Sequence, residues 1–133
     1  MLEDPHAVVP TLPLWIDEGL AEYFEVARGH DGRNAAHIEL LNGQLSSGAW
    51  RPQLSRLEQL TSATDMPQTD YAEAWLWTHF LLETTPQRRE LLQGYLSALR
   101  SNGSAAPLSE PLGRSMPDID SAVVEYLAQL KSP

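Results

Sequence analysis

The sequence predicts an all-α fold, a single compact bundle of about five to six helices. Three observations carry that prediction. Apolar residues recur at helical spacing through most of the chain, as in Ile16, Leu20, Tyr23, Phe24 and Ala27. Helix-starting and helix-stopping residues punctuate these stretches, from Pro13 and Thr85-Pro86 at starts to Asp31-Gly32 and Asn102-Gly103 at ends. No run of alternating β-branched residues suggests a strand, and no internal repeat is present. With 133 residues and 42% hydrophobic content, one domain spanning 1–133 has enough apolar material for a core.

Residues 1–12 read as an extended arm, with Pro5 and Pro10 ahead of Pro13; residues 13–133 form the bundle. Pro13 suits a first helical turn, where its missing N–H costs nothing, and a first helix runs from Leu14 to Ala27. Its inward stripe is Ile16, Leu20 and Phe24. Asn34 to Leu45 forms a second helix with Ile38, Leu41 and Leu45 on one side, ending at Ser46-Ser47-Gly48. A short third helix begins near Pro52 and carries Leu54, Leu57 and Leu60; Asp65-Met66-Pro67 is a turn. Asp70 followed by Glu73 has the form of a capping box, so a fourth helix is expected to start there. Its body, Ala72 to Leu82, is apolar nearly all round, which suits the middle of a bundle. Thr85 caps a fifth helix with Leu91, Leu92, Tyr95, Leu96 and Leu99 inward. Residues 104–117, rich in Pro, Ser and Gly, form a connection to a last helix over Asp118 to Leu130.

Composition excludes several functions. The formal net charge of −9 would repel a polyanion, so no nucleic-acid partner is expected. The absence of cysteine removes disulfides, thiolate nucleophiles and Cys-type zinc sites. No apolar stretch approaches the ~18 residues of a membrane span, and no charged-then-apolar leader opens the chain. No phosphate-binding glycine loop and no nucleophile elbow occur.

The most informative segment is Leu12 to Glu25. Glu18, Glu22 and Glu25 share one helical face, which periodicity alone reads as a solvated acidic surface. Trp15 and Val26 flank that face, however, so it is not purely polar. Gly19 inside the helix costs ~1 kcal/mol relative to alanine, which implies close approach of another backbone or a ligand.

The string Pro13-Leu14-Trp15-Ile16-Asp17-Glu18-Gly19-Leu20-Ala21-Glu22-Tyr23 resembles a segment of the gluzincin zinc peptidases, especially peptidase-MA-like proteins catalogued as a domain of unknown function. The stretch from Tyr71 to Leu82 resembles the helix that follows this segment there, and Leu112-Gly113 through Leu130 resembles their terminal helix. The resemblance therefore implies the C-terminal helical half of a gluzincin. It assigns Glu18 the role of third zinc ligand, beside two histidines of a His-Glu-x-x-His helix, leaving one position open for water. It implies that Glu22, one turn on, orients a ligating histidine from outside the coordination sphere. Tyr71 is the candidate for oxyanion stabilisation, with a packed tyrosine at the start of a core helix as the alternative.

This sequence departs from that pattern where activity depends on it. No His-Glu-x-x-His occurs, and none of His6, His30, His37 and His79 pairs with another four residues away. Glu3 and His6 fall in register with the motif's glutamate and second histidine, but Leu2 stands at the first ligand and Pro5 breaks the helix. His79 reads as a core or edge histidine bonded to a neighbour; His30 and His37 read as surface residues. The expectation is an incomplete zinc-metallopeptidase-like domain, inactive as the isolated chain. Zinc belongs to the complete family context and not to this chain alone. Its partner is then a missing N-terminal catalytic segment or another protein, and Glu18 is expected in an open groove. The alternative is a non-enzymatic helical interaction or self-association module, a homo-oligomer included.

Overall fold

The computed structural model describes residues 12–30 and 34–131. The chain is all-helical among these residues, with seven α-helices and one 3-10 turn: α1 (Leu14–His30), α2 (Ala35–Ser47), α3 (Leu54–Leu57), the turn Ala63–Asp65, α4 (Gln68–Glu83), α5 (Pro86–Asn102), α6 (Ser109–Ser115) and α7 (Ile119–Lys131). All but residue 12 of the expected arm lies outside the described residues. No described helix is long and apolar enough to cross a membrane.

The punctuation residues act where their chemistry predicts. Asn34 Oδ1 accepts the His37 backbone N–H at 3.1 Å, and α2 closes on Gly48 at φ 78°. Thr85 Oγ1 accepts the Arg88 N–H at 3.2 Å ahead of Pro86, and α5 closes on Gly103 at φ 75°. Both glycines sit in the left-handed region, where a side chain would be strained.

The helix α4 forms the axis of the bundle: α1, α2, α3, α5 and α7 all pack on it. Every residue from Ala72 to Leu81 is buried, because a helix surrounded on all sides has no solvated face to spare. Trp15, Trp75, Trp77 and Phe80 are the largest fully buried side chains. Each contributes roughly 1.5–3 kcal/mol by leaving water. The core continues through Leu41, Leu57, Leu92, Leu112, Val123 and Leu127.

Two expectations are corrected at this level. The 104–117 connection contains a helix, α6, which brings the total to seven; Leu108 and Leu112 anchor it in the core, and Glu58 accepts from the Ser109 N–H and hydroxyl. The capping box is absent. Helix α4 begins at Gln68 with Pro67 as its N-cap, and the Asp70 and Glu73 carboxylates turn away from the helix end. Asp70 Oδ1 accepts from Arg56 Nη2 at 2.7 Å. The fully buried Glu73 accepts from Trp50 Nε1 at 2.8 Å, the Gln53 N–H at 2.7 Å, Arg56 Nη2 at 3.0 Å and Trp77 Nε1 at 3.0 Å. Four converging donors satisfy a carboxylate better than one exposed N–H at a helix end does.

Candidate functional site

The helix α1 lies against α4 in the same direction, since Gly19 meets Ala74 and Thr78 while Tyr23, one turn later, meets His79 and Glu83. The contact is closest at Gly19. A Cβ built there would overlap Thr78 Oγ1 and stand 2.6 Å from the Ala74 carbonyl oxygen. The neighbour implied by this glycine is therefore the α4 backbone. Thr78 Oγ1 donates to Ala74 O at 2.9 Å, which draws the hydroxyl in against its own helix at the point of contact.

That approach sets which side of α1 is buried. Trp15 and Ile16 are fully buried and Gly19 is buried, with Leu20 and Tyr23 partly so. Phe24, expected in the inward stripe, is 61% exposed. Trp15, expected to border the acidic face, is in the core. The line of contact runs through Gly19, so the helix is turned toward Trp15 and away from Phe24. Of the other residues assigned to this helix, the side chains of Val26 and Ala27 lie outside the described set.

Glu18 and Glu22 follow from this turn. Glu18 is half-buried and makes no hydrogen bond or ion pair among the described residues. It is neither sealed in a core salt bridge nor part of the 580 Å³ cleft found between α5 and the 105–115 segment, which Leu91, Gly94, Tyr95, Leu108 and Pro111 line. The Glu22 side chain is 28% exposed, and its Oε2 lies 3.2 Å from Nε2 of His37 on α2. Glu22 thus orients a histidine, but one supplied by this chain's own second helix. His37, expected at the surface, is buried: α2 packs on α4, and the imidazole sits between Glu22 and the Trp75 ring, 5.8 Å between centroids.

Trp75 also meets His79, 5.2 Å away between centroids, whose Nδ1 is 2.6 Å from the Tyr126 hydroxyl. It is the neighbour-bonded core histidine the sequence suggests. Tyr23 stands edge-on to His79 and its hydroxyl donates to Glu83 Oε1. The Tyr23 phenol is pushed up to about 12, first by burial and then by the hydrogen bond and negative charge of Glu83, with Arg89 opposing.

Tyr71 lies in the first turns of α4, half-buried, and its hydroxyl donates to the Ala63 carbonyl at 3.3 Å. That bond ties it to the 3-10 turn before α4 and not to the acidic residues of α1. His6 lies outside the described residues, as does the side chain of His30. Among the described residues no group of three or more His, Asp or Glu side chains converges as a metal site requires.

Sequence reasoning missed the Glu22–His37 pair and the Glu73 hub. The signal for the second was present: a glutamate inside an otherwise apolar segment, with Trp77 four residues on. The first pairs residues 15 positions apart on different helices, which no local spacing announces.

The matched sequence covers most of this architecture: residues 6–105, from the arm through α5, match the family described as protein of unknown function (DUF1570). The chain belongs to that family. The match takes in Glu18, Glu22, His37, Tyr71 and the Glu73 hub, and ends before α6 and α7. No curated protein and no solved structure matches the chain.

Proposed function

We propose that this DUF1570 chain is the helical part of a zinc-metallopeptidase-like protein, carrying one metal ligand, Glu18, and incapable of peptide hydrolysis by itself. The observation that supports the reading is Glu18 itself. It is a half-buried carboxylate without a partner among the described residues, on a helix held to the bundle axis by a backbone contact at the very next residue. A carboxylate left without a hydrogen bond while its helix is so firmly placed is available to a ligand. The resemblance of the Trp-Ile-Asp-Glu-Gly segment to gluzincins adds the nature of that ligand. Zinc would supply the Lewis acidity and activated water of a hydrolase, with the histidines and the general base coming from outside this chain. In that setting Tyr71 is the oxyanion candidate, and Glu22 would have to exchange its present partner, His37, for a ligating histidine to orient one.

The test is the mass of the protein in its source cells, measured with an antibody against this chain or by mass spectrometry. A species well above 14.8 kDa that contains a His-Glu-x-x-His helix, and loses its zinc on Glu18→Gln, is the expected result. A native species of 14.8 kDa, or chelator-sensitive peptide hydrolysis by the purified chain alone, overturns the reading.

A further inference from the structure

Among the arginine side chains described, Arg56 and Arg88 are the two partly withdrawn from solvent. Arg56 is matched by the carboxylates of Asp70 and Glu73. Arg88 meets no carboxylate among the described residues. Its Nη1 donates to Thr84 Oγ1 at 2.9 Å, its Nη2 lies 3.4 Å from Met116 Sδ, and its Cζ stands 4.3 Å from the centroid of the Phe80 ring. All three partners are neutral, and burial lowers the pKa of the guanidinium with no anion to oppose it. A partly desolvated cation met only by neutral groups has the place of an anion still open.

That place gives onto a cleft of about 410 Å³ between the α4–α5 junction and α7, lined by Thr85, Arg88, Tyr126 and Gln129 among others. Small-molecule sites measure roughly 300–1,000 Å³, so the cleft is of the right size for a compact ligand. Its polar groups are held in place from the core. The buried Phe80 carries Arg88 over its face and stands edge-on to Tyr126, 5.5 Å between centroids. The Tyr126 hydroxyl is anchored in turn by Nδ1 of the buried His79 at 2.6 Å.

The charges narrow the ligand further. Two carboxylates also line the cleft, Glu83 and Glu125. Glu83 already accepts from the Tyr23 phenol, whereas Glu125 is exposed and makes no hydrogen bond or ion pair among the described residues. A ligand that is only an anion suits Arg88 and is repelled by the glutamates; one that is only a cation does the reverse. A molecule carrying both charges complements both walls.

We propose that this cleft binds a small zwitterion, an amino acid or short peptide, with its carboxylate on Arg88 and its ammonium toward Glu125. The proposal does not depend on whether Glu18 binds a metal.

Amide NMR of the isotope-labelled full chain tests it, with free L-alanine, free L-leucine, dialanine and trialanine as probes. Each is added to about 10 mM, well above the ~1 mM dissociation constant of a weak specific site. At least one probe is expected to shift the Arg88, Tyr126 and Gln129 amides saturably, and whether it is a free amino acid or a peptide tells the two sources apart. Capping that probe's carboxylate as an amide, or its ammonium by acetylation, should each weaken binding at least ~10-fold, the loss of one charge-assisted contact. Arg88→Gln and Glu125→Gln should each do the same. Glu125 is exposed, so its variant keeps the fold even if the loss of Arg88 from the Phe80 ring disturbs it, and far-UV circular dichroism checks this. No saturable shift with any probe, capped forms that bind as well as the free one, or a Glu125→Gln chain that binds like the wild type overturns the proposal.

Discussion

At Gly19 a single hydrogen in place of a methyl group lets α1 touch the α4 backbone. Substitution there meets the Thr78 hydroxyl, which must rotate away from its bond to Ala74, and the Ala74 carbonyl oxygen, which cannot retreat without moving α4. Gly19→Ala should therefore destabilise the chain by roughly 2–3 kcal/mol, despite alanine's better helix propensity. Gly94→Ala, mid-α5 with nothing within 4 Å of the added carbon, should instead stabilise by about 0.5–1 kcal/mol. Urea denaturation of both variants checks the opposite signs. The Glu73 carboxylate is the second residue on which much depends, because its two oxygens serve four donors from α4, Trp50, Gln53 and Arg56. Glu73→Gln puts an NH₂ among donors and removes the charge facing Arg56. A loss on the order of 3 kcal/mol is expected in the same measurement.

At the scale of the helices, α1 and α4 are fastened at the Tyr23–Glu83 hydrogen bond as well as at Gly19. This fastening depends on pH with a definite sign. The folded-state phenol ionises at about 12, above the ordinary value of 10.0, so the folded state favours the neutral form. Its contribution is complete below about pH 10 and is lost as pH rises through about 12. Spectrophotometric titration of phenolate absorbance should find a tyrosine with this late midpoint. In Glu83→Gln the midpoint should fall but stay above 10, because burial, the largest cause, is untouched. The helix α6 carries a different lesson. Pro107, Pro111 and Pro117 and the serines around them read as a connection. Yet Leu108 and Leu112 are buried, and Glu58 fixes the helix start from 51 residues away. Burial of two leucines outweighs weak local propensity in a seven-residue helix that would not form alone.

At the scale of the whole molecule, the all-α class, the central place of α4 and most helix ends follow from the sequence alone. The physical reason is that their causes are local: period 3.6 in the apolar residues, Asn34 and Thr85 as caps, and Gly48 and Gly103 where a helix must turn left-handed. The anomaly at Gly19 is also legible, because a glycine inside a helix demands a neighbour. Which neighbour it meets is not legible, and that choice, the α4 backbone, turns α1 so that Trp15 goes inward and Phe24 outward. The same holds for the charged residues of the candidate site. Spacing places Glu18 and Glu22 on one face, but only packing leaves Glu18 without a partner among the described residues and gives Glu22 the buried His37. Asp70 and Glu73 spell a helix cap locally and become a core hub once Trp50 and Arg56 arrive from elsewhere in the chain. Local periodicity and capping thus determined the elements of this protein. The tertiary structure decided which faces meet and which carboxylates are occupied, because those outcomes depend on groups far apart in the chain competing for the same space and the same hydrogen bonds.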